Sequence, residues 1–206
     1  MDISLGSLKH KRVRLSGTDI VFALVTLGVL GMHLADALAG NFVATLFVLQ
    51  QAAVLLFVLT HRPPVNEPVP YGDVLWAWAG TLLLLVVRPA EIGLRVPGGL
   101  VLLLGVTLSI FGVLSLGRSF SIEPALRGVQ THGLYRFVRH PLYASYLLIG
   151  AGYLIANVSV WNVAVLTLWM VAQVTRIRRE EAVLRMDPDY VRYSQKVRWR
   201  LVPGLW

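Results

Sequence analysis

The sequence predicts an all-α integral membrane protein of about five to six transmembrane helices, the last two forming a hairpin, with a cytoplasmic C-terminal helical tail. Three observations predict it. Of 206 residues, 56% are hydrophobic and only 15% charged, whereas an average soluble domain is roughly 45–50% apolar and about 25% charged. Mean hydropathy is +0.65. Lys and Arg outnumber Asp and Glu by 19 to 11, and they fall between long runs that hold no charge. Such a composition excludes a disordered chain. The absence of cysteine excludes a disulfide-stapled secreted domain and a cysteine-ligated zinc or iron–sulfur centre.

Each element follows from the need for about 20 mostly apolar residues to cross a hydrocarbon core about 30 Å thick. The uncharged runs are 20–35, with Asp36 at its end, then 37–60, 74–87, 96–117 and 141–175. Arg88, just past the third, has the reach to snorkel outward. The fifth run holds 35 residues. As one helix it would be about 52 Å long at 1.5 Å per residue. Asn157-Val158-Ser159 with Asn162 breaks it near the middle, so two shortish helices are expected, about 141–157 and 160–176, paired antiparallel. Asn157-Val158-Ser159 also has the form of a glycosylation acceptor, but a turn beside the membrane suits it better.

Six crossings place both termini on one side. That side then collects 17 of the 19 basic residues, leaving Arg88 and Arg95 on the other. The positive-inside rule makes the 17-charge side cytoplasmic. The charge is thus a topology signal, with no call for nucleic acid as a partner. Lys9, Lys11, Arg12 and Arg14 form an arm suited to anionic lipid. No cleavable signal peptide is expected, because the first residues are polar and basic and the first apolar run lacks a small-residue cleavage site. Tyr190, Tyr193, Trp199 and Trp206 fit a tail lying along the membrane interface. The chain divides into 1–117, the arm and four helices, and 118–206, the loop, hairpin and tail, acting as one unit.

Two stretches on the basic side carry chemistry. In the first, Pro141 suits the first turn of a helix, which puts Arg139 and His140 at a helix mouth that favours an anion. Gly133 permits a close approach of the loop, and Tyr135 and Tyr143 offer aromatic faces for a small cationic or zwitterionic ligand. A basic stop before a helix explains Arg136 as well, and His140 equally. In the second, Glu180 and Glu181 follow the last span among Arg176, Arg178 and Arg179. They read either as a solvated, salt-bridged face or as carboxylates turned back to the membrane surface. An antiparallel hairpin would bring both stretches to one site.

These residues resemble the isoprenylcysteine carboxyl methyltransferase family, among membrane methyltransferases that include phospholipid N-methyltransferases. The pattern Gly-x-Tyr-Arg-x-x-Arg-His-Pro-x-Tyr is complete from Gly133 to Tyr143, and Arg-Ile-x-x-Glu-Glu-x-x-Leu is complete from Arg176 to Leu184. Leu116-Gly117-Arg118-Ser119-Phe120 is similar to a segment of bacterial members. Where members often carry Phe-Gly before the first tail tyrosine, this chain has Met186-Asp187-Pro188-Asp189. The resemblance implies S-adenosylmethionine as methyl donor and no metal. It implies Tyr135, His140, Pro141, Tyr143, Arg179 and Glu181 as cofactor-binding residues. It makes Arg139, Arg176 and Glu180 the catalytic candidates, the arginines orienting an anionic acceptor and Glu180 able to take a proton. The expected substrate is a lipophilic or lipidated molecule entering from the bilayer, methylated on a carboxylate. Headgroup amine methylation is the alternative, and a non-enzymatic adaptor or transporter the alternative of another class. Few ionisable residues lie in the spans (His33, Asp36 and the flanking Asp19), which disfavours a transporter.

Overall fold

The computed structural model describes residues 15–64, 70–204 and 206. The Lys9–Arg14 arm lies outside them. Among the described residues the chain is helical with no strand, in the order α1 (Gly17–Leu38), α2 (Phe42–Thr60), α3 (Tyr71–Leu82), α4 (Arg95–Leu116), α5 (Pro141–Ala156), α6 (Val160–Leu184) and α7 (Pro188–Lys196). All six apolar runs are helices. Four are long and apolar enough to cross a membrane: Gly17–Leu38, Phe42–Thr60, Arg95–Ser119 and Val160–Leu184. Tyr71–Val86, which ends in a 3-10 turn, and Pro141–Ala156 are shorter. The 16 residues of α5 give about 24 Å, short of the roughly 30 Å core. Large apolar side chains such as Leu24, Met32, Leu56 and Leu104 face outward, as a lipid solvent demands.

Helix ends are set by caps that apolar runs do not reveal. Asp19 belongs to α1, where its backbone N–H donates to Ser16 Oγ (3.1 Å) while its carboxylate accepts from the Ser16 N–H (2.8 Å), a capping box. The chain turns between α1 and α2 at Gly40, whose φ is +90°. Asn41 then caps α2, accepting from the Ala44 N–H at 3.1 Å. The second helix therefore begins at Phe42 and not near 37. Ser159 caps α6 through the Asn162 N–H at 3.1 Å, so the polar cluster in the long run is indeed the turn. The sixth helix runs to Leu184, well past 176, so the Arg176–Leu184 motif lies on the closing turns of a membrane helix.

The hairpin joining α5 to α6 is tight in sequence but splayed in packing. α5 lies along α4, where glycines seven apart let the backbones meet. A Cβ on Gly98 would stand 2.6 Å from the Gly152 carbonyl, on Gly105 2.8 Å from the Ile149 nitrogen, and on Gly112 2.8 Å from Leu142. Small residues at such contacts are how helices pack without a hydrophobic drive between them. α6 packs instead on α3, where Trp169 Nε1 (2.9 Å) and Gln173 Nε2 (3.2 Å) both donate to the Gly80 carbonyl. α5 and α6 still touch at Gly150, where a Cβ would lie 2.9 Å from the Trp169 ring.

Helix directions alternate, and cross-links at each end show it. At one end Asn162 exchanges hydrogen bonds with the Arg88 backbone (3.0 and 2.8 Å), and Asn157 accepts from the Ala90 N–H (3.2 Å). At the other, the Arg62 N–H donates to the Arg118 carbonyl (2.8 Å), and Arg179 pairs with Asp73 (3.2 Å). Arg88 and Arg95 are the basic residues of the first end, and the remaining described Lys and Arg gather at the second. The two stretches singled out from sequence are both at this basic end.

Candidate active site

At the basic end the two stretches meet. Gly133 opens a 3-10 turn with φ +60°, and a Cβ there would strike the Ser115 side chain, so the loop lies against α4 as only glycine allows. The turn delivers Tyr135 and leads to Arg139 and His140, with Pro141 in the first turn of α5. From α6, Glu181 enters between them. Its Oε1 lies 2.7 Å from Arg139 Nη1 and 3.3 Å from His140 Nε2, and its Oε2 accepts from Arg200 Nε at 2.9 Å. The Tyr190 hydroxyl adds a 3.4 Å bond to Oε1. Glu181 is only 4% exposed and Arg139 8%, so these charges are compensated almost without water.

The helix mouth is therefore filled by the protein itself. The N–H groups of Arg139 and His140 donate to the carbonyls of Trp199 (2.9 Å) and Arg200 (2.8 Å) in the returning tail. The anion at the start of α5 is Glu181. Tail aromatics serve this docking: Tyr190 and Tyr193 are buried, and the Tyr193 hydroxyl donates to the Tyr135 carbonyl at 2.5 Å. They are not the interface belt that their positions suggest, whereas Trp199 is 40% exposed. Burial raises the phenol pKa of Tyr135, Tyr190 and Tyr193 above the ordinary value, with the Glu180 charge adding to it at Tyr135 and the Glu181 charge at Tyr190. All three stay neutral hydrogen-bond donors.

Beside this knot opens a cavity of about 500 Å³, within the usual range of small-molecule sites, roughly 300–1,000 Å³. Tyr135, His140, Tyr143, Arg176 and Glu180 line its polar end. The Tyr143 hydroxyl donates to Glu180 Oε2 at 2.6 Å, and the Arg176 guanidinium lies 5.5 Å from the Tyr143 ring centroid. Arg176 is fixed further by Gln173 Oε1 (3.4 Å) and the Ile122 carbonyl (3.3 Å). It passes α3 where Gly80 leaves room, since a Cβ there would stand 2.6 Å from Arg176 Cδ. The cavity continues along α5 past Tyr146 to Tyr153, ten residues beyond Tyr143 and so about 15 Å, and between α1 and α2 past Phe22, Val29 and Phe47.

The structure thus sorts the expected site residues. Tyr135, His140, Tyr143, Arg176 and Glu180 surround one space. Arg139 lines it too, but its charge is met by Glu181, and Glu181 is spent on the tail. Arg179 is half-exposed and turned to Asp73. Pro141 shapes the helix start. Sequence reasoning missed Gln173, Trp169 and Gly80, which set Arg176, and Arg127 in the loop. For Trp169 and Gln173 the trace is the spacing 162, 169, 173, 176, 180, one line along α6; Gly80 and Arg127 lie on other elements. No three His, Asp or Glu side chains among the described residues are grouped to hold a metal.

The scaffold is that of a helical membrane protein whose cavity joins a polar end to an apolar interior. Residues 94–187 match the model of the phospholipid methyltransferase family, membrane methyltransferases whose members use S-adenosylmethionine as methyl donor. The match begins at the start of α4 and takes in both signatures. No curated protein matches the chain.

The cavity residues fit that donor. Glu180 suits an ammonium or a ribose hydroxyl, and Arg176 a carboxylate. The faces of Tyr143 and Tyr146 suit a sulfonium cation or an adenine. For the chain, that family match implies an integral membrane, S-adenosylmethionine-dependent methyltransferase.

Proposed function

We propose that the acceptor is the carboxylate of a lipophilic molecule, prenylcysteine-like in being a long apolar chain with an acidic head, and that it is methylated at the basic end, on the cytoplasmic side. One observation carries this reading. The cavity is continuous from the Tyr143–Glu180–Arg176 cluster to apolar walls on α1, α2 and α5, so a bilayer-borne chain and a polar donor have a common chamber.

S-adenosylmethionine, which Tyr143, Arg176 and Glu180 would hold, would supply an electrophilic methyl group for transfer to the acceptor oxygen. Everything else falls to the chain. A carboxylate is already ionised at neutral pH, so no residue need remove a proton, and the arginine-lined wall only has to orient it. Tyr143, fixed by Glu180 and stacked near Arg176, holds the donor's position, and alignment of this kind accounts for much of the barrier lowering in such displacements. The tail, latched through Tyr193 and Trp199, keeps water from the polar end. A second reading, amine methylation, is favoured by the carboxylate of Glu180 in the cavity, which can accept the proton an amine must lose.

Calorimetric titration with S-adenosylmethionine tests the cluster. Wild type should bind. Tyr143→Phe and Glu180→Gln should each weaken binding about tenfold, near the 1–1.5 kcal/mol of a typical buried hydrogen bond. Affinity unchanged in both variants would remove this cluster from the donor site.

A further inference from the structure

The cavity has a second polar wall that the donor site does not use. It is the 119–130 part of the loop between α4 and α5, and its buried centre is Arg127. Only 8% of Arg127 is exposed. Its Nη1 lies 2.6 Å from His61 Nδ1 and also donates to the Arg62 carbonyl. His61 is 1% exposed, and its Nε2 lies 3.1 Å from Asp19 Oδ2 in the first turn of α1. The imidazole sits between the two, its Nδ1 also 3.0 Å from the Arg62 carbonyl. Three elements are thereby tied into one brace whose outer member faces the cavity.

Arg127 is unlike the other two arginines of the cavity. Arg139 is neutralised by Glu181 at 2.7 Å. Arg176 stands on Tyr143, its guanidinium held by Gln173 and the Ile122 carbonyl. The described hydrogen-bond partners of the Arg127 guanidinium are His61 Nδ1 and the Arg62 carbonyl, with no carboxylate at ion-pair distance, and its Nε–H is buried with no partner among the described residues; Arg139 Nε is unpaired too, but Glu181 meets that charge. Asp19 and Glu123 act on it only through space. An unpaired N–H on a buried guanidinium is costly unless a ligand takes it. The apolar part of the cavity starts beside this brace. Phe22, Thr26, Val29 and His33 line the cavity and follow Asp19 at helical spacing on α1, about 21 Å of helix from 19 to 33.

We propose that Arg127, braced by His61 and Asp19, anchors the anionic headgroup of the acceptor, a carboxylate or a phosphate, while the acceptor's apolar chain runs down the α1–α2 side of the cavity. The inference rests on the methyltransferase reading for the word acceptor, but the anion site itself does not need methyl transfer. It places the acceptor's head in the cavity that Tyr143 and Glu180 also line.

Binding of long-chain amphiphiles bearing a carboxylate, a phosphate or an uncharged hydroxyl head is measured on purified full-length protein without donor, alongside donor affinity. Wild type should favour an anionic head at least tenfold, as a charge-assisted hydrogen bond implies, and the carboxylate and phosphate arms show which anion it selects. Arg127→Gln should abolish that preference while hydroxyl binding and donor affinity stay within about twofold, and Arg127→Lys should keep part of it. Equal binding of acid and alcohol by wild type, or an anion preference intact in Arg127→Gln, overturns the proposal. If Arg127→Gln also loses the donor, photolabelling of wild type by an acid with a photoreactive group beside its carboxylate decides. Adducts in 119–130 or the first turn of α1 support the anchor, and adducts confined elsewhere overturn it. Absence of methyl transfer with the anion preference intact would count against the proposed reaction and leave the anchor standing.

Discussion

At the scale of single residues, the glutamates that adjoin in sequence have opposite surroundings. Glu180 borders the cavity and takes the Tyr143 hydroxyl. Glu181 is buried among Arg139, His140 and Arg200. Removing one member of a buried charge cluster strands the others, at a cost of about 3–5 kcal/mol. Glu181→Gln should therefore lower thermal stability sharply in a detergent melt, while Glu180→Gln should leave the melting point nearly unchanged and act on ligand binding. Equal stability losses would show that the two side chains are not divided in this way. The sequence made it legible that 139–143 and 176–181 share a site, because both flank one hairpin. It did not show which groups would be consumed internally. That depends on the Trp199–Leu201 segment returning to dock on α5, and no local periodicity announces such a return. For the same reason Arg139 and Arg179 looked equivalent to Arg176, although only Arg176 is aimed across the cavity without a carboxylate of its own at ion-pair distance among the described residues.

At the scale of elements, every apolar run became a helix, because length and hydropathy alone dictate that in a bilayer. Helix ends were less legible, since Ser16, Asn41 and Ser159 set them through short-range hydrogen bonds. The hairpin of α5 and α6 is present and the two touch at Gly150, but α5 lies more closely along α4 because Gly98, Gly105, Gly112 and Gly152 allow backbone contact there. That seven-residue spacing is in the sequence, but an apolar run full of Leu and Val hides it. The pairing predicts an asymmetry between glycines of α4. Gly105→Ala places a methyl 2.8 Å from the Ile149 backbone nitrogen and should cost about 1–3 kcal/mol. Gly99→Ala meets nothing within 4 Å and should be neutral within about 0.5 kcal/mol. Matching losses in chemical denaturation would refute close α4–α5 packing.

For the whole molecule, the formal charge of +8 is a statement about orientation. The described basic residues other than Arg88 and Arg95 share one end, and the candidate site lies at that end. The proposed reaction on the cytoplasmic side requires this end to face the cytoplasm. With no native cysteine, single introduced thiols report cleanly. Ile92→Cys, 73% exposed at the far end, should react with a membrane-impermeant thiol reagent in intact cells. Met186→Cys, 70% exposed at the basic end, should react only after permeabilisation. The reverse pattern would invert the topology and move the site outside.

The central claim is that a bilayer-borne acceptor is methylated in the cavity between the two signature stretches. It is tested most directly by incubating purified protein in bilayers with methyl-labelled S-adenosylmethionine and a panel of long-chain acids and amines, then counting label in the organic extract. The account predicts label in the extract from the acids, released as methanol by mild base because the product is an ester, and strongly reduced by Tyr143→Phe. Base-stable label from the amines alone would move the reaction to nitrogen. No extractable label from any acceptor, with folded protein that binds the donor, would contradict the account.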